Sequence, residues 1–146
     1  MTPSPKDWRS VLPPASRVAG RLAHGGVLLV PVRVNGQDFE FLVDTGSAYT
    51  GIAPSTAAYL GVTPQTSPGV RIAPAHGPTV AVPTARLQTF SVGGHRLDNL
   101  EVVILDLPAE LQIDGLLGMD VLGRFRLTLE PDRAILVLRP RRSLST

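Results

Sequence analysis

The sequence predicts an all-β domain with little helix, and three features support this prediction. Two apolar segments turn back at Asn35-Gly36 and at Gly93-Gly94, dipeptides that tolerate positive φ and are typical of β-hairpins. Residues 124–129 alternate strictly between polar and apolar side chains, which is the period of a half-buried strand. Helical periodicity is weak, because no apolar stripe extends beyond about two helical turns.

The strands and helices are predicted to follow one another in two similar halves. Each half has a hairpin, a short glycine-containing segment and a short helix. The first half comprises strands from Val27 and over Phe39–Val43, the segment Asp44-Thr45-Gly46, and a helix over Pro54–Leu60. The second half comprises the Gly93-Gly94 hairpin with a returning strand over Leu100–Leu105, the segment Leu116-Leu117-Gly118, and a helix over Met119–Leu122. This order indicates an internal pseudo-repeat of about half a domain.

A terminal strand pair and a projecting hairpin complete the predicted fold. The strands are residues 124–129 and Ala134–Leu138. Between the two halves, residues 69–83 alternate weakly and contain Pro74 and Pro83. Since proline lacks the N–H that a central strand requires, this hairpin is expected at a sheet edge or projecting into solvent, as a flap.

The length and the charge distribution indicate one folded domain with two distinct termini. The 146 residues are too few for two independent cores. We expect a Pro-rich arm or linker over residues 1–21, a folded domain over residues 22–138, and a basic tail over residues 139–146. The net charge is +2, but residues 22–138 hold 7 basic and 11 acidic residues, a net charge of −4. An acidic body without interleaved aromatic residues is not expected to bind nucleic acid.

Composition also excludes several other classes of site. The chain has no cysteine, which rules out disulfides, thiolate metal sites and a cysteine nucleophile. Its aliphatic runs, such as residues 27–30, are far shorter than the roughly 20 apolar residues of a membrane helix. We expect no metal or cofactor, because His24, His76 and His95 lack the spacing of a zinc motif and no glycine-rich phosphate loop occurs. The N-terminus does not resemble a secretory signal, so we expect a cytoplasmic protein unless the domain comes from a longer one.

The candidate for chemistry is the segment Asp44-Thr45-Gly46-Ser47, in which an acidic residue leaves an apolar strand and enters a tight loop. An ordinary turn is the alternative interpretation, since average composition yields Asp-[Ser/Thr]-Gly in about one in ten chains of this length. The surrounding sequence favours a functional site. Leu42-Val43 precede the motif, and a second apolar segment, Gly115-Leu116-Leu117-Gly118, follows about seventy residues later.

With these motifs the sequence resembles the retropepsin-like, or retroviral-type, aspartic proteases, and especially the bacterial members of that family. The resemblance extends from about Val27 to Leu138 and includes the Asp44–Ser47 motif, the flap-like segment and residues 115–122. It implies a closed barrel with one or two short helices and a flap hairpin. It also implies that Asp44 lies at the base of a cleft covered by the hairpin near His76-Gly77.

The number of carboxyl groups then predicts a homodimer. Hydrolysis of a peptide bond by carboxyl groups requires one to take a proton from water and another to polarise the scissile carbonyl. The chain has a single Asp-[Ser/Thr]-Gly motif, so the site is expected to combine Asp44 of two copies around a two-fold axis. Asp114 and Asp120 are the alternative second acids within one chain. Their sequence context favours a turn residue and a helix-start residue instead.

The resemblance also implies roles for neighbouring residues in an endopeptidase that acts on polypeptides. Thr45 is expected to hydrogen-bond across the two-fold axis, and Gly46 to let the loop approach the substrate. Ser47 is expected to donate to the Asp44 carboxylate, which favours its charged form and predicts an acid-shifted pH optimum that Ser47→Ala would raise. Contacts with the substrate, favouring hydrophobic residues, are expected from the flap and the cleft walls: Ala75, His76, Gly77, Ile52, Val80, Val82 and Leu116.

Two other functions remain open at this point. The same fold could serve as a catalytically weak or inactive module for dimerisation or peptide binding. The flap tip favours this alternative, because Pro78 cannot donate a hydrogen bond and only Gly77 lacks a side chain there. The complete Asp44–Ser47 motif argues against it, because binding alone does not require a reactive acid. The third possibility is a folded domain whose basic termini bind nucleic acid.

Overall fold

The computed structural model describes residues 15–73 and 76–141 of the chain. Eleven strands and two α-helices lie within these ranges. In chain order they are β1 Ser16–Ala19, β2 Arg21–Leu22, β3 Leu28–Val34, β4 Gln37–Val43, β5 Gly51–Ile52, α1 Pro54–Leu60, β6 Gln65–Ile72, β7 Val80–Val92, β8 His95–Ile104, β9 Gly115–Leu117, α2 Met119–Leu122, β10 Phe125–Glu130 and β11 Ile135–Pro140.

Six of the strands close into a barrel. The hydrogen-bonded order is β3-β4-β9-β5-β8-β7, and β7 returns to β3 through Arg33 opposite Ser91 and Val34 opposite Phe90. β2 extends this sheet beside β3, and β6 extends it beside β7. The predicted all-β class and closed barrel are confirmed.

The barrel interior holds the hydrophobic core, and the alternation of side chains along each strand explains why. In β3, Val30, Val32 and Val34 are buried while Pro31 and Arg33 are exposed. At the centre, the fully buried rings of Phe41 and Phe90 have centroids 5.9 Å apart. Burying one such side chain contributes about 2 kcal/mol. A shift of one residue in strand pairing would turn these side chains to the opposite face, so the inward residues fix the register of the strands.

The predicted turns and helices are confirmed. Asn35 and Gly36 have φ of 49° and 81°, and Gly93 and Gly94 have φ of 58° and 80°, as a two-residue turn between antiparallel strands requires. The helices occupy Pro54–Leu60 and Met119–Leu122. The returning strand of the second hairpin is longer than predicted, because its pairing with β7 begins directly after the turn, at His95 opposite Val92.

A second, three-stranded sheet joins the N-terminal and C-terminal parts of the described chain. Its order is β1-β11-β10, with Ser16 opposite Leu138. β1 and the first residue of β2 lie within the segment predicted as an arm over residues 1–21, and residues 1–14 and 142–146 lie outside the described ranges. The domain boundaries stay a prediction. Among the described residues, no helix is both long and apolar enough to cross a membrane.

The flap prediction is confirmed as a hairpin of β6 and the first part of β7. β7 pairs with β8 only from Thr84 onward, so residues 80–82 pair with β6 alone and the hairpin extends beyond the barrel. Pro83 lies at the irregularity where pairing shifts between Val82 and Thr84, a position that does not require its missing N–H. Pro74 and Ala75 lie outside the described residues.

Candidate active site

Asp44, the predicted catalytic residue, lies immediately after β4. β4 pairs in parallel with β9, with Val43 opposite Leu117. The Asp44 N–H continues this pairing by donating to the Leu117 carbonyl at 3.0 Å. The apolar residues of β4 and β9 therefore fix the point at which the chain leaves the barrel, and the half-buried Asp44 side chain is presented there.

The loop after Asp44 closes on itself through short-range hydrogen bonds. The Gly46 N–H donates to Asp44 Oδ1 at 3.0 Å, and the Ser47 N–H donates to the Asp44 carbonyl at 3.2 Å. The Ser47 hydroxyl donates to the Tyr49 carbonyl at 2.9 Å. This corrects the expectation that Ser47 donates to the Asp44 carboxylate, because the turn aims the hydroxyl forward along the chain. The carboxylate accepts a backbone N–H instead.

The far end of the loop is attached to the segment that joins β9 to α2. The Met119 and Asp120 N–H groups donate to the carbonyls of Ser47 and Ala48 at 2.7 and 3.2 Å. These bonds place the loop against the first turn of α2. Sequence reasoning assigned no contact between these segments, because the bonds involve backbone atoms that carry no sequence signature.

Thr50 and Asp120 provide a second attachment between the same segments. Thr50 is fully buried, and its N–H and hydroxyl donate to Asp120 Oδ1 at 3.0 and 2.7 Å. Its hydroxyl also accepts the Gly118 N–H at 3.1 Å. Sequence reasoning missed Thr50, since an isolated threonine between apolar residues gives no signal of this role.

An open cleft of about 1190 Å³ lies beside Asp44. Apart from the Asp44 loop, the cleft walls are mostly apolar and come from the flap hairpin, from the end of β8 and from β9. The lining residues include Ile72, Val80, Val82, Pro83, Val103, Ile104, Leu105 and Leu116. Arg71, Tyr49 and Asp106 also line the cleft, and sequence reasoning gave none of these three a role in it.

The predicted substrate-contacting residues fall into four groups. Val80, Val82 and Leu116 line the cleft. Ile52 does not, since it is fully buried in the core on β5, between β8 and β9, and this corrects its assignment to the cleft wall. His76 and Gly77 are exposed at the flap tip, outside the group of lining residues. Ala75 cannot be placed, because it lies outside the described residues.

The two alternative acids turn away from the cleft. Asp114 precedes β9, and its carboxylate accepts the Glu40 N–H at 2.9 Å. Asp120 lies in the first turn of α2 and binds Thr50. Neither residue lines the cleft beside Asp44, where the other carboxylate among the described residues is that of Asp106, exposed after β8.

Neither His76 nor His95 lines the cleft. His95, on β8 of the barrel, has its Nε2 2.8 Å from Ser16 Oγ of β1 and packs its ring against Phe125 of β10, which ties the barrel to the second sheet. His76 is exposed at the flap tip, and the His24 backbone forms a short 3₁₀ turn before β3. Across residues 15–73 and 76–141, no three His, Asp or Glu side chains gather as metal ligands.

Comparison with known proteins places this chain in a family. The profile described as "Aspartyl protease" matches residues 30–121, which include the Asp44 loop, the flap hairpin and the start of α2. Among solved structures, a retropepsin-like aspartic protease from Rickettsia conorii is similar, with a TM-score of 0.64 and 21% identity, covering 87% of this chain and 92% of that one.

Two further structures share the fold at lower similarity. The EIAV protease complexed with the inhibitor HBY-793 has a TM-score of 0.55 and 18% identity, covering 70% of this chain and 91% of its own. The retroviral protease-like domain of Ddi1 from Leishmania major has a TM-score of 0.51 and 18% identity, covering 77% and 87%. No curated protein sequence matched. The family profile and the shared barrel lead to one conclusion: the chain belongs to the aspartyl protease family and has the retropepsin-like fold.

Proposed function

We propose that this chain is a homodimeric aspartic endopeptidase that hydrolyses peptide bonds with a water activated between the Asp44 residues of two subunits. The observation that carries the proposal is the position of Asp44, half-buried at the end of β4 and beside a long, open cleft. The two alternative acids of the sequence point away from that cleft. A second Asp44 from another copy would supply the missing carboxyl group.

The proposed chemistry uses the two carboxyl groups in opposite protonation states. The ionised one takes a proton from the water as it attacks, and the protonated one donates to the oxygen of the scissile carbonyl. Two carboxyl groups that meet around a two-fold axis would share one proton, because two like charges in contact are unfavourable. No further group is needed to generate the nucleophile.

The cleft walls support a polypeptide as the substrate. The flap hairpin and the end of β8 line the cleft with Ile72, Val80, Val82 and Ile104. An extended peptide would bury apolar side chains against these residues, at about 25 cal/mol per Å² of apolar surface. We therefore expect hydrophobic residues beside the scissile bond.

The first test compares cleavage of a mixed peptide library by the wild type and by Asp44→Asn from acid to neutral pH. The proposal predicts cleavage by the wild type and none by the variant. Peptide binding without cleavage in both proteins would identify a binding module instead. Cleavage by both would show that another acid is responsible.

A mixing experiment tests the shared site. Adding excess Asp44→Asn protein to the wild type should inhibit cleavage, because the chains redistribute into mixed dimers that carry one carboxyl group. Dilution should also lower the rate per chain. Asp106→Asn is the matched control, since Asp106 is the other carboxylate of the cleft and its substitution should leave cleavage intact. Loss of activity in Asp106→Asn, with no inhibition on mixing, would favour a site within one chain.

A further inference from the structure

Asp120 carries a carboxylate that the proposed reaction does not use. It lies in the first turn of α2 and outside the cleft. Its Oδ1 accepts three hydrogen bonds, from the Thr50 N–H at 3.0 Å, the Thr50 hydroxyl at 2.7 Å and the Val121 N–H at 2.8 Å. Two of these donors belong to a residue 70 positions away in the chain. A residue that only capped its own helix would bind the Val121 N–H and would need neither contact with Thr50.

Thr50 depends on these contacts because water cannot replace them. It is fully buried, so its N–H and hydroxyl cannot reach solvent. The same hydroxyl accepts the Gly118 N–H at 3.1 Å, which connects β5, the loop and the start of α2 through one side chain. A buried polar network of this kind rigidifies its surroundings when every member is paired.

The loop that presents Asp44 is therefore attached at both ends. At its start, the Asp44 N–H binds the Leu117 carbonyl, and at its end, Thr50 binds the Asp120 carboxylate. We propose that Asp120 is a positioning residue for the reaction: its carboxylate holds Thr50, and through it the loop that aims Asp44 at the shared water. This inference rests on the proposed function, since it assigns Asp120 a role in that reaction.

The geometry predicts an effect on kcat rather than on KM. Displacing a reacting group by about 1 Å can cost on the order of 100-fold in rate, and each subunit must place its own Asp44. The apolar cleft walls come mainly from the flap hairpin and from the end of β8, whereas the hydrogen bonds of the Asp120 carboxylate go to Thr50 and Val121. Substrate binding should therefore survive when the loop is released.

The test compares Asp120→Ala with Asp114→Ala. Both substitutions remove a carboxylate next to β9 that accepts a backbone N–H, but Asp114 binds Glu40 on β4 and makes no side-chain contact with the loop. At protein concentrations that saturate dimer formation, Asp120→Ala should lower kcat by roughly 10- to 100-fold with KM changed less than about threefold. Asp114→Ala should keep kcat near that of the wild type.

Amide hydrogen exchange provides a readout that does not depend on cleavage. In Asp120→Ala the Thr50 and Ser47 amides should lose protection while those of the barrel strands keep it, and Asp114→Ala should lose protection at Glu40 instead. Thr50→Val is the second variant should Asp120→Ala fail to fold. It keeps the N–H bond to Asp120 and loses the hydroxyl, so its kcat should still fall, but by less than the range expected of Asp120→Ala.

The outcomes separate this inference from the proposed function. An active wild type, an inactive Asp44→Asn and an Asp120→Ala with unchanged kcat would overturn the positioning role and leave the protease standing. An inactive wild type would overturn the proposed function and, with it, the positioning role of Asp120 in that reaction. Unchanged exchange at Thr50 in Asp120→Ala would overturn the positioning role whatever the activity.

Discussion

The segments 44–50 and 114–120 lie side by side, and they use their carboxylates in opposite ways. The first segment follows β4, the second contains β9, which pairs in parallel with β4, and each contains aspartate and glycine. Within the described residues, one donor binds the Asp44 carboxylate, the Gly46 N–H, whereas three bind that of Asp120. A carboxylate that is surrounded by donors stabilises structure, and one that keeps free acceptor positions beside a cleft is available for chemistry. The sequence motif alone does not distinguish these two situations.

The glycines of the two segments also differ, in the space that surrounds each of them. Gly118→Ala should have the largest effect on stability. A Cβ at Gly118 would meet the Tyr49 carbonyl carbon, the Tyr49 carbonyl oxygen at 2.5 Å and the Thr50 nitrogen at 2.9 Å. These are backbone atoms of the loop and cannot rotate away. We expect a loss of about 3 kcal/mol in the free energy of unfolding, measured by urea denaturation.

Gly46→Ala is the control for that substitution. A Cβ at Gly46 would find only Asp44 Oδ1, at 3.4 Å, so its stability should stay within about 0.5 kcal/mol of the wild type. Equal losses in the two variants would show that the segments are not packed as closely as the structure indicates.

Thr50→Val should have the next largest effect. The substitution keeps the volume of the side chain but leaves the Gly118 N–H without its acceptor in a buried site. An unpaired buried donor costs about 1–3 kcal/mol, which urea denaturation would resolve. Thr63→Val, at an exposed threonine in the loop after α1, is the matched control and should change stability by less than about 0.5 kcal/mol. A Thr50→Val protein as stable as this control would contradict the attachment through Thr50.

Local patterns predicted much of the fold, and long-range contacts explain most of what they missed. The dipeptide Asn35-Gly36 specifies its turn through φ alone, and both α-helices have the predicted bounds. β1 has only four residues and pairs with β11, more than 100 positions later, so no local pattern indicates it.

Within the candidate site, the sequence predicted the motif but not the directions of the side chains. Ile52 lies on a two-residue strand, which is too short for alternation to show that it faces the core. Ser47 was expected to donate to the Asp44 carboxylate, and in the structure its hydroxyl donates to the Tyr49 carbonyl. Both errors concern the direction of a side chain, which depends on backbone geometry that a single sequence does not reveal.

Arg21→Ala should have the smallest effect, and it tests an exposed contact next to the second segment. Glu40 donates its N–H to Asp114, while its carboxylate binds Arg21 at 2.7 Å. The hydrogen bond and the charge of Glu40 raise the pKa of Arg21. A cation with a raised pKa contributes stability that is lost as the pH rises through that pKa. That pH lies beyond the range in which proteins are usually studied. Added salt is therefore the better probe of this ion pair.

We expect Arg21→Ala to shift the urea midpoint less than Thr50→Val does, because solvent screens exposed ion pairs. The remaining difference from the wild type should vanish near 1 M salt, where the Debye length is about 3 Å. A large loss that persists at high salt would mean that the pair contributes by packing. The Arg21–Glu40 pair would then be an exception to the expectation that contacts with buried partners, such as Thr50, stabilise the fold more than exposed contacts do.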